Sequence, residues 1–286
     1  MKRILLAIDR SAASWEATRL AVHMTPKLKA PITVLTVLVP EGQRGESKDQ
    51  REREYAAAHE LVDDAVKDLL AAGVKAKGEV RSCNPGEVAG EILATAIRLS
   101  ADLIVMGSRA RGELTGLLLG SVSHKVAMDA DCPVVIVPTG VTRLTPRRIL
   151  LVIDGEGDTQ KPVAATAALA RAAKASVVVV CVGRTLGDTD HTAEFALAAN
   201  PDEAAVAAAV SALEKAGLEV QSRMIDNVRG LAPEIAREVM ATGADMIVIG
   251  SRAMGWISSD ITAGTAESVI HRTQRPVVVA PSRRRS

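Results

Sequence analysis

Asp9 follows the apolar run ILLAI, and Gly107-Ser108-Arg109-Ala110-Arg111-Gly112 follows LIVM; these are the places in the chain where chemistry-bearing residues come directly after a hydrophobic segment. Farther on, Gly120-Ser121-Val122 opens a segment of helical period. A helix start offers backbone N–H groups without intrahelical partners, a glycine lets a ligand approach, and a serine adds a hydroxyl donor, so such a segment can cradle a phosphate. Two glycine-bearing segments would then face one another over a nucleotide. The alternative, that Gly107, Gly112, Gly116 and Gly120 are turn and helix-cap residues, stays open at this point.

Other reaction chemistries find no support. Neither G-x-x-x-x-G-K-[ST] nor G-x-G-x-x-G occurs, and G-x-S-x-G is absent with no serine joined to an identifiable His/Asp pair. His23, His59, His124, His191 and His271 lack metal-ligand spacing and read as surface or packing histidines. Cys83, Cys132 and Cys181 are far apart and odd in number, which fits buried reduced thiols in a cytoplasmic protein, not a disulfide framework. Thirty-five basic against 34 acidic residues leave a net charge of +1, and aromatic residues make up 1% of the 286. That balance excludes a nucleic-acid-coating role and a row of base-stacking platforms. No signal peptide and no membrane span is expected, because no run reaches about 18 apolar residues.

The elements that must position these residues are written twice. ADLIVMGSRARG at 101–112 returns as ADMIVIGSRAMG at 244–255, identical at nine of twelve positions; KRILLAID at 2–9 returns as RRILLVID at 147–154, and PVVIVP at 133–138 as PVVVAP at 276–281. The copies span 1–140 and 147–281, with GVTRLTPR a short linker between them. In each, Val/Ile-rich runs alternate with segments of helical period, the pattern of a parallel sheet covered by helices. Strands are expected at 3–8, 32–38, 75–81, 103–106 and 134–137, and again at 149–153, 176–182, 219–224, 246–249 and 277–280. A helix over 50–72 presents Leu61, Val62, Ala65, Leu69 and Leu70 as one apolar stripe and ends at Gly73; its counterpart runs over 201–216 and ends at Gly217. Pro85 and Pro233 stand near the start of the third helix of each copy. The stretch SKDQREREYAAAHE reads as a solvated helix face, and the terminal SRRRS as a tail.

The strand ending in Asp, MGSRARG, GLLLGSVSHKV and CPVVIVP together resemble the universal stress protein family in its tandem two-domain form. The resemblance implies two α/β domains, each a doubly wound, five-stranded parallel sheet of Rossmann-like, adenine-nucleotide alpha hydrolase-like type. The family's ATP-binding members carry G-x2-G-x9-G-[S/T]; here the first copy reads Gly107-x2-Ala110-x9-Gly120-Ser121. Where that second position needs a left-handed backbone, Ala costs about 1–2 kcal/mol, which weakens binding without abolishing it. By resemblance, Asp9 holds the adenosine end, the backbone near Val37 meets the adenine edge, and Gly107, Gly120, Ser121 and Val122 bind ribose and phosphates. Arg109 and Arg111 are nearby cations that could reach the phosphates.

The second copy keeps Asp154, Val182, Gly250 and Ala253, but Gly264-Thr265 comes one residue late. Aligned from Pro276, Ala263 takes the place of Gly120, and Asp260, Glu156 and Asp158 add negative charge, so this site is expected to be the weaker. The resemblance thus implies a non-enzymatic stress-response protein that binds ATP, with or without magnesium, and answers through conformation or association. A tandem protein without nucleotide binding, serving as an interaction module, is the other reading, and slow ATPase or self-phosphorylation on Ser121 or Ser123 is a third. The proline-bounded last strand of each copy suits pairing of the two copies as an internal pseudo-dimer, with a homodimer of whole chains as a further option.

Overall fold

The computed structural model describes residues 1–40, 48–108, 120–153, 159–183, 201–226, 230–250 and 265–281. The chain divides into two compact units, Met1–Thr145 and Pro146–Ser286.

The first unit runs β1 (Ile4–Ala7), α1 (Ala12–Leu28), β2 (Ile32–Leu38), α2 (Lys48–Ala71), β3 (Ala76–Ser82), α3 (Val88–Leu99), β4 (Leu103–Gly107), α4 (Ser121–Asp129) and β5 (Val134–Val137). All its strands are parallel, in the order β3-β2-β1-β4-β5. The chain moves outward from β1 through β2 to β3, then crosses back to β4 and on to β5 in the opposite direction, and right-handed crossovers put α1 and α2 on one face and α3 and α4 on the other. The packing follows this division, α1 meeting α2 and α3 meeting α4. A sheet covered on both faces needs strands that are apolar throughout, and Ile4–Ala7, Leu103–Met106 and Val134–Val137 are buried at every position. Burying each of the larger side chains contributes roughly 1.5–3 kcal/mol.

The second unit repeats the plan as β6 (Arg148–Ile153), α5 (Gln160–Ala173), β7 (Ser176–Gly183), α6 (Pro201–Lys215), β8 (Val220–Asp226), α7 (Leu231–Thr242), β9 (Met246–Gly250), α8 (Thr265–Thr273) and β10 (Val277–Ala280). Its strands are parallel in the order β8-β7-β6-β9-β10. Among the described residues, no helix is long and apolar enough to cross a membrane.

Two of the repeated blocks are structural ties. Asp102 Oδ2 accepts the N–H groups of Lys2 and Arg3, the latter at 2.9 Å, fixing the start of β1 to that of β4. Arg3 Nη1 donates to the carbonyl of Leu99 at 2.7 Å, at the end of α3 where carbonyls lack intrahelical donors. In the second unit Asp245 Oδ2 accepts from Arg147 N (2.8 Å) and Arg148 N (3.3 Å), and Arg148 Nη1 donates to the Thr242 carbonyl. The Asp of AD-x-IV and the Arg of RILL thus form one clamp, built twice.

The sequence expectations need two corrections. The buried stripe of α2 is Ala58, Val62, Ala65 and Leu69; Leu61 is half-buried, and Leu70 is 54% exposed. Leu70 belongs to the helix terminus, where its carbonyl accepts from Gly73 N at 2.9 Å while Leu69 O accepts from Val74 N. Gly73 reaches this geometry at φ +79, and Gly217 ends α6 the same way at φ +79. Of the cysteines only Cys181 is buried, Cys83 and Cys132 being half-buried. Burial, then the neighbouring Glu87 and Glu91 carboxylates, push the Cys83 thiol pKa up, away from thiolate chemistry. Pro85 and Pro233 stand near the start of the third helix of each unit as expected, Pro85 three residues before α3 and Pro233 as the third residue of α7; neither position needs an intrahelical N–H.

Candidate functional site

The order of strands reverses between β1 and β4, where Ala7 stands opposite Met106, and ligands of open parallel sheets bind beyond such a pair. A cavity of about 380 Å³ lies there. The strand ends give it Ala7, Ile8, Met106 and Gly107; β2 and α3 add the aliphatic Val37, Val88 and Ile92. Its polar lining is Asp9, Ser14 and the first turn of α4.

Asp9 is held by the helix that follows it. Ser11 is the N-cap of α1, its Oγ accepting the N–H of Ser14 at 3.2 Å. The Ser14 side chain turns back, its Oγ accepting the Asp9 N–H (3.0 Å) and donating to Asp9 Oδ1 (2.7 Å), which also accepts Ser11 N–H at 2.9 Å. From β2, Thr36 Oγ1 donates to the carbonyl of Ile8 at 2.6 Å. The half-buried Asp9 is the only charged residue lining the cavity among the described residues.

Val37 owes its position to the same splitting of strands. Ile8 N donates to Leu35 O (2.9 Å), while Leu38 O accepts from Cys83 on the other side (3.0 Å). Main-chain groups alternate sides along a strand, so the N–H and C=O of Val37 point to the side of β1, beyond the last β1–β2 pair, Ala7 with Leu35.

The two motif glycines differ in cause. Gly107 is no turn residue: it is the last residue of β4, paired with Val137, and a Cβ there would stand within 2.6 Å of the Ala13 carbonyl oxygen and of Ser14 N. Its missing side chain lets β4 pass against the first turn of α1. Gly120 is the N-cap of α4 at φ −53, ψ 142, a conformation open to most residues. With no side chain at that cap, the N–H groups of the first turn are not covered as a Ser or Asp would cover them. Ser121 is exposed at the rim and Val122 half-buried. Ser123, named with Ser121 in the self-phosphorylation reading, is buried, with its Oγ donating to Gly120 O at 3.0 Å.

Arg109 and Ala110 lie outside the described residues, as do Asp154, Ala253 and Gly264 of the second unit. There, Gly250 ends β9 opposite Ala280, Val182 pairs with Ile225 in β7–β8, and Thr265 is the first residue of α8. Sequence reasoning missed Ser14, Thr36, Val88 and Ile92. The signal for Ser14 was present in S-x-x-S directly after Asp-Arg, an N-cap pattern; Val88 and Ile92 are an i,i+4 pair facing inward.

The universal stress protein family model matches residues 1–138 and again 145–281. The Bacillus subtilis universal stress protein YxiE is 34% identical over 150 residues, covering 47% of this chain and 97% of its own. A universal stress protein of Mycobacterium tuberculosis (strain H37Rv) is 26% identical over 296 residues, 97% of this chain and 95% of the relative. The crystal structure of a universal stress protein from Archaeoglobus fulgidus superposes with a TM-score of 0.73 at 22% identity, covering 98% of this chain and 96% of that one. A putative universal stress protein from Pseudomonas aeruginosa gives 0.62 at 18% identity over 99% and 94%. These two likenesses are of fold, and they extend over both units. With the family matched twice in one chain, this protein belongs to the universal stress protein family, in its tandem form.

Proposed function

We propose that this chain is a cytoplasmic adenine-nucleotide-binding stress-response protein that holds ATP in its first unit and answers with a change of conformation or association, without a dedicated chemical step. The observation that carries this reading is the helix start of α4, capped by a residue without a side chain and opening on the cavity that Asp9 also lines. A carboxylate calls for ligand donors, a bare helix N-terminus for an anion, and the Val37, Val88 and Ile92 surface for a flat apolar group. A nucleotide supplies all three. In this proposal Asp9 takes hydrogen bonds from the adenosine end, the Val37 main chain meets the base edge, and Gly120, Ser121 and Val122 receive the phosphates beside Gly107.

Arg109 and Arg111 add charge to the phosphate end, and Ala110 replaces a motif glycine at a modest cost. Magnesium enters this proposal as a companion of the phosphates. The second unit, with its displaced Gly264-Thr265 and added Glu156, Asp158 and Asp260, is proposed as the weaker site.

Isothermal titration of the full chain with ATP tests the proposal. One dominant site in the micromolar range is expected, with no phosphate released in a single turnover; no heat at millimolar ATP rejects it. A second reading, an interaction module without nucleotide, is favoured by one observation: packing against α1 alone accounts for Gly107. The same titration decides between them.

A further inference from the structure

We infer that Ser14 is a positioning residue of the first unit's site, fixing the Asp9 carboxylate before the ligand arrives; this inference rests on the nucleotide reading of the cavity. Ser14 is 5% exposed and lines the cavity without presenting charge to it. Its hydroxyl proton has a fixed destination. The oxygen accepts Asp9 N–H at 3.0 Å, and the proton goes to Asp9 Oδ1 at 2.7 Å, closing a ring through main chain and side chain of one residue. The Ser11 N–H, at 2.9 Å, is the second donor to that oxygen. Two donors on Oδ1 set the rotation of the carboxylate, so no ordering of this side chain remains to be done on binding.

The place of Ser14 is itself over-determined. Its N–H is bound by the N-cap Ser11, and its backbone abuts Gly107, so α1 cannot turn or slide without moving the hydroxyl. The second unit's sequence differs at these positions. The counterpart of Ser14 is Thr159, which is not inside the helix but is the N-cap of α5, with no side-chain cap bond. The counterpart of Thr36, whose hydroxyl steadies the carbonyl before Asp9, is Cys181. In the first unit the pre-orientation rests on Ser14 and Thr36, and the second unit's sequence carries Thr159 and Cys181 at those positions.

The test is a double-mutant cycle on the full chain, with ATP affinity read by titration for wild type, Ser14→Ala, Asp9→Ala and the double variant. Ser14→Ala is expected to weaken ATP about tenfold, and to cause less than about a twofold further loss in the Asp9→Ala background. Ser14→Thr, which keeps the hydroxyl, is expected to stay within about threefold of wild type. Wild-type affinity in Ser14→Ala overturns the inference. So does an equal loss in both backgrounds, which marks an effect on the fold and not on Asp9, or a Ser14→Thr variant as weak as the alanine one. Failure of the wild type to take up ATP is a different result: it removes the nucleotide reading, and this inference with it.

Discussion

Gly107 at the end of β4 lies so close to the carbonyl of Ala13 in the first turn of α1 that no Cβ fits between them. The clash is with main chain, which cannot rotate away as a side chain would. Gly107→Ala is therefore expected to destabilise the protein by about 1–3 kcal/mol and to displace the α1 entry that carries Ser14. Urea unfolding measures the first effect; an unchanged midpoint would show that α1 yields without cost.

The clamp at the other end of the sheet is built twice but not equally buried. Asp245 is 9% exposed, whereas Asp102 is half-buried, and each receives two main-chain N–H groups. Removing the carboxylate orphans those donors. Asp245→Ala is expected to cost about 2–3 kcal/mol and Asp102→Ala about 1–2 kcal/mol. Denaturant titration of the two variants checks the order, and a larger loss at Asp102 would contradict it.

Glu79 on β3 gives the stability a pH dependence of known sign. Burial by itself raises its carboxyl pKa, but hydrogen bonds and charge from Lys77 (2.9 Å) and Arg98 outweigh this and hold it below the ordinary value. A carboxylate held low in the folded state stabilises above its unfolded pKa, and that contribution is lost as pH falls through the folded one. At neutral pH the wild type should exceed Glu79→Gln in urea midpoint, with the gap closing below pH 4.5. A gap independent of pH would assign the difference to packing.

The legibility of the sequence was uneven for physical reasons. Strands such as Val134–Val137 and Val277–Ala280 stand where their apolar runs begin and end, because burial on both faces leaves no choice of residue. Gly73 and Gly217 could be read as helix ends, since the left-handed cap demands what they are. Leu70 could not, because an apolar residue in the last turn satisfies the helical period even when the chain beyond it turns away. At the site, Asp9 and Gly120 stood out by type and position. Ser14 did not, as its role depends on a side chain turning back across five residues, and the meaning of Gly107 depended on the distance to a helix remote in sequence.

The central claim is that the first turn of α4 seats phosphate because its N-cap has no side chain. Gly120→Asp puts a carboxylate at that cap, in a backbone conformation that accepts it, and an N-cap Asp stabilises a helix at least as well as Gly. Repulsion of phosphate and preservation of the fold are thereby separated. Equilibrium titration with ATP, alongside urea unfolding, is expected to show at least about a hundredfold loss of affinity in Gly120→Asp with an undiminished unfolding midpoint. Equal ATP affinity in the two proteins would contradict the account.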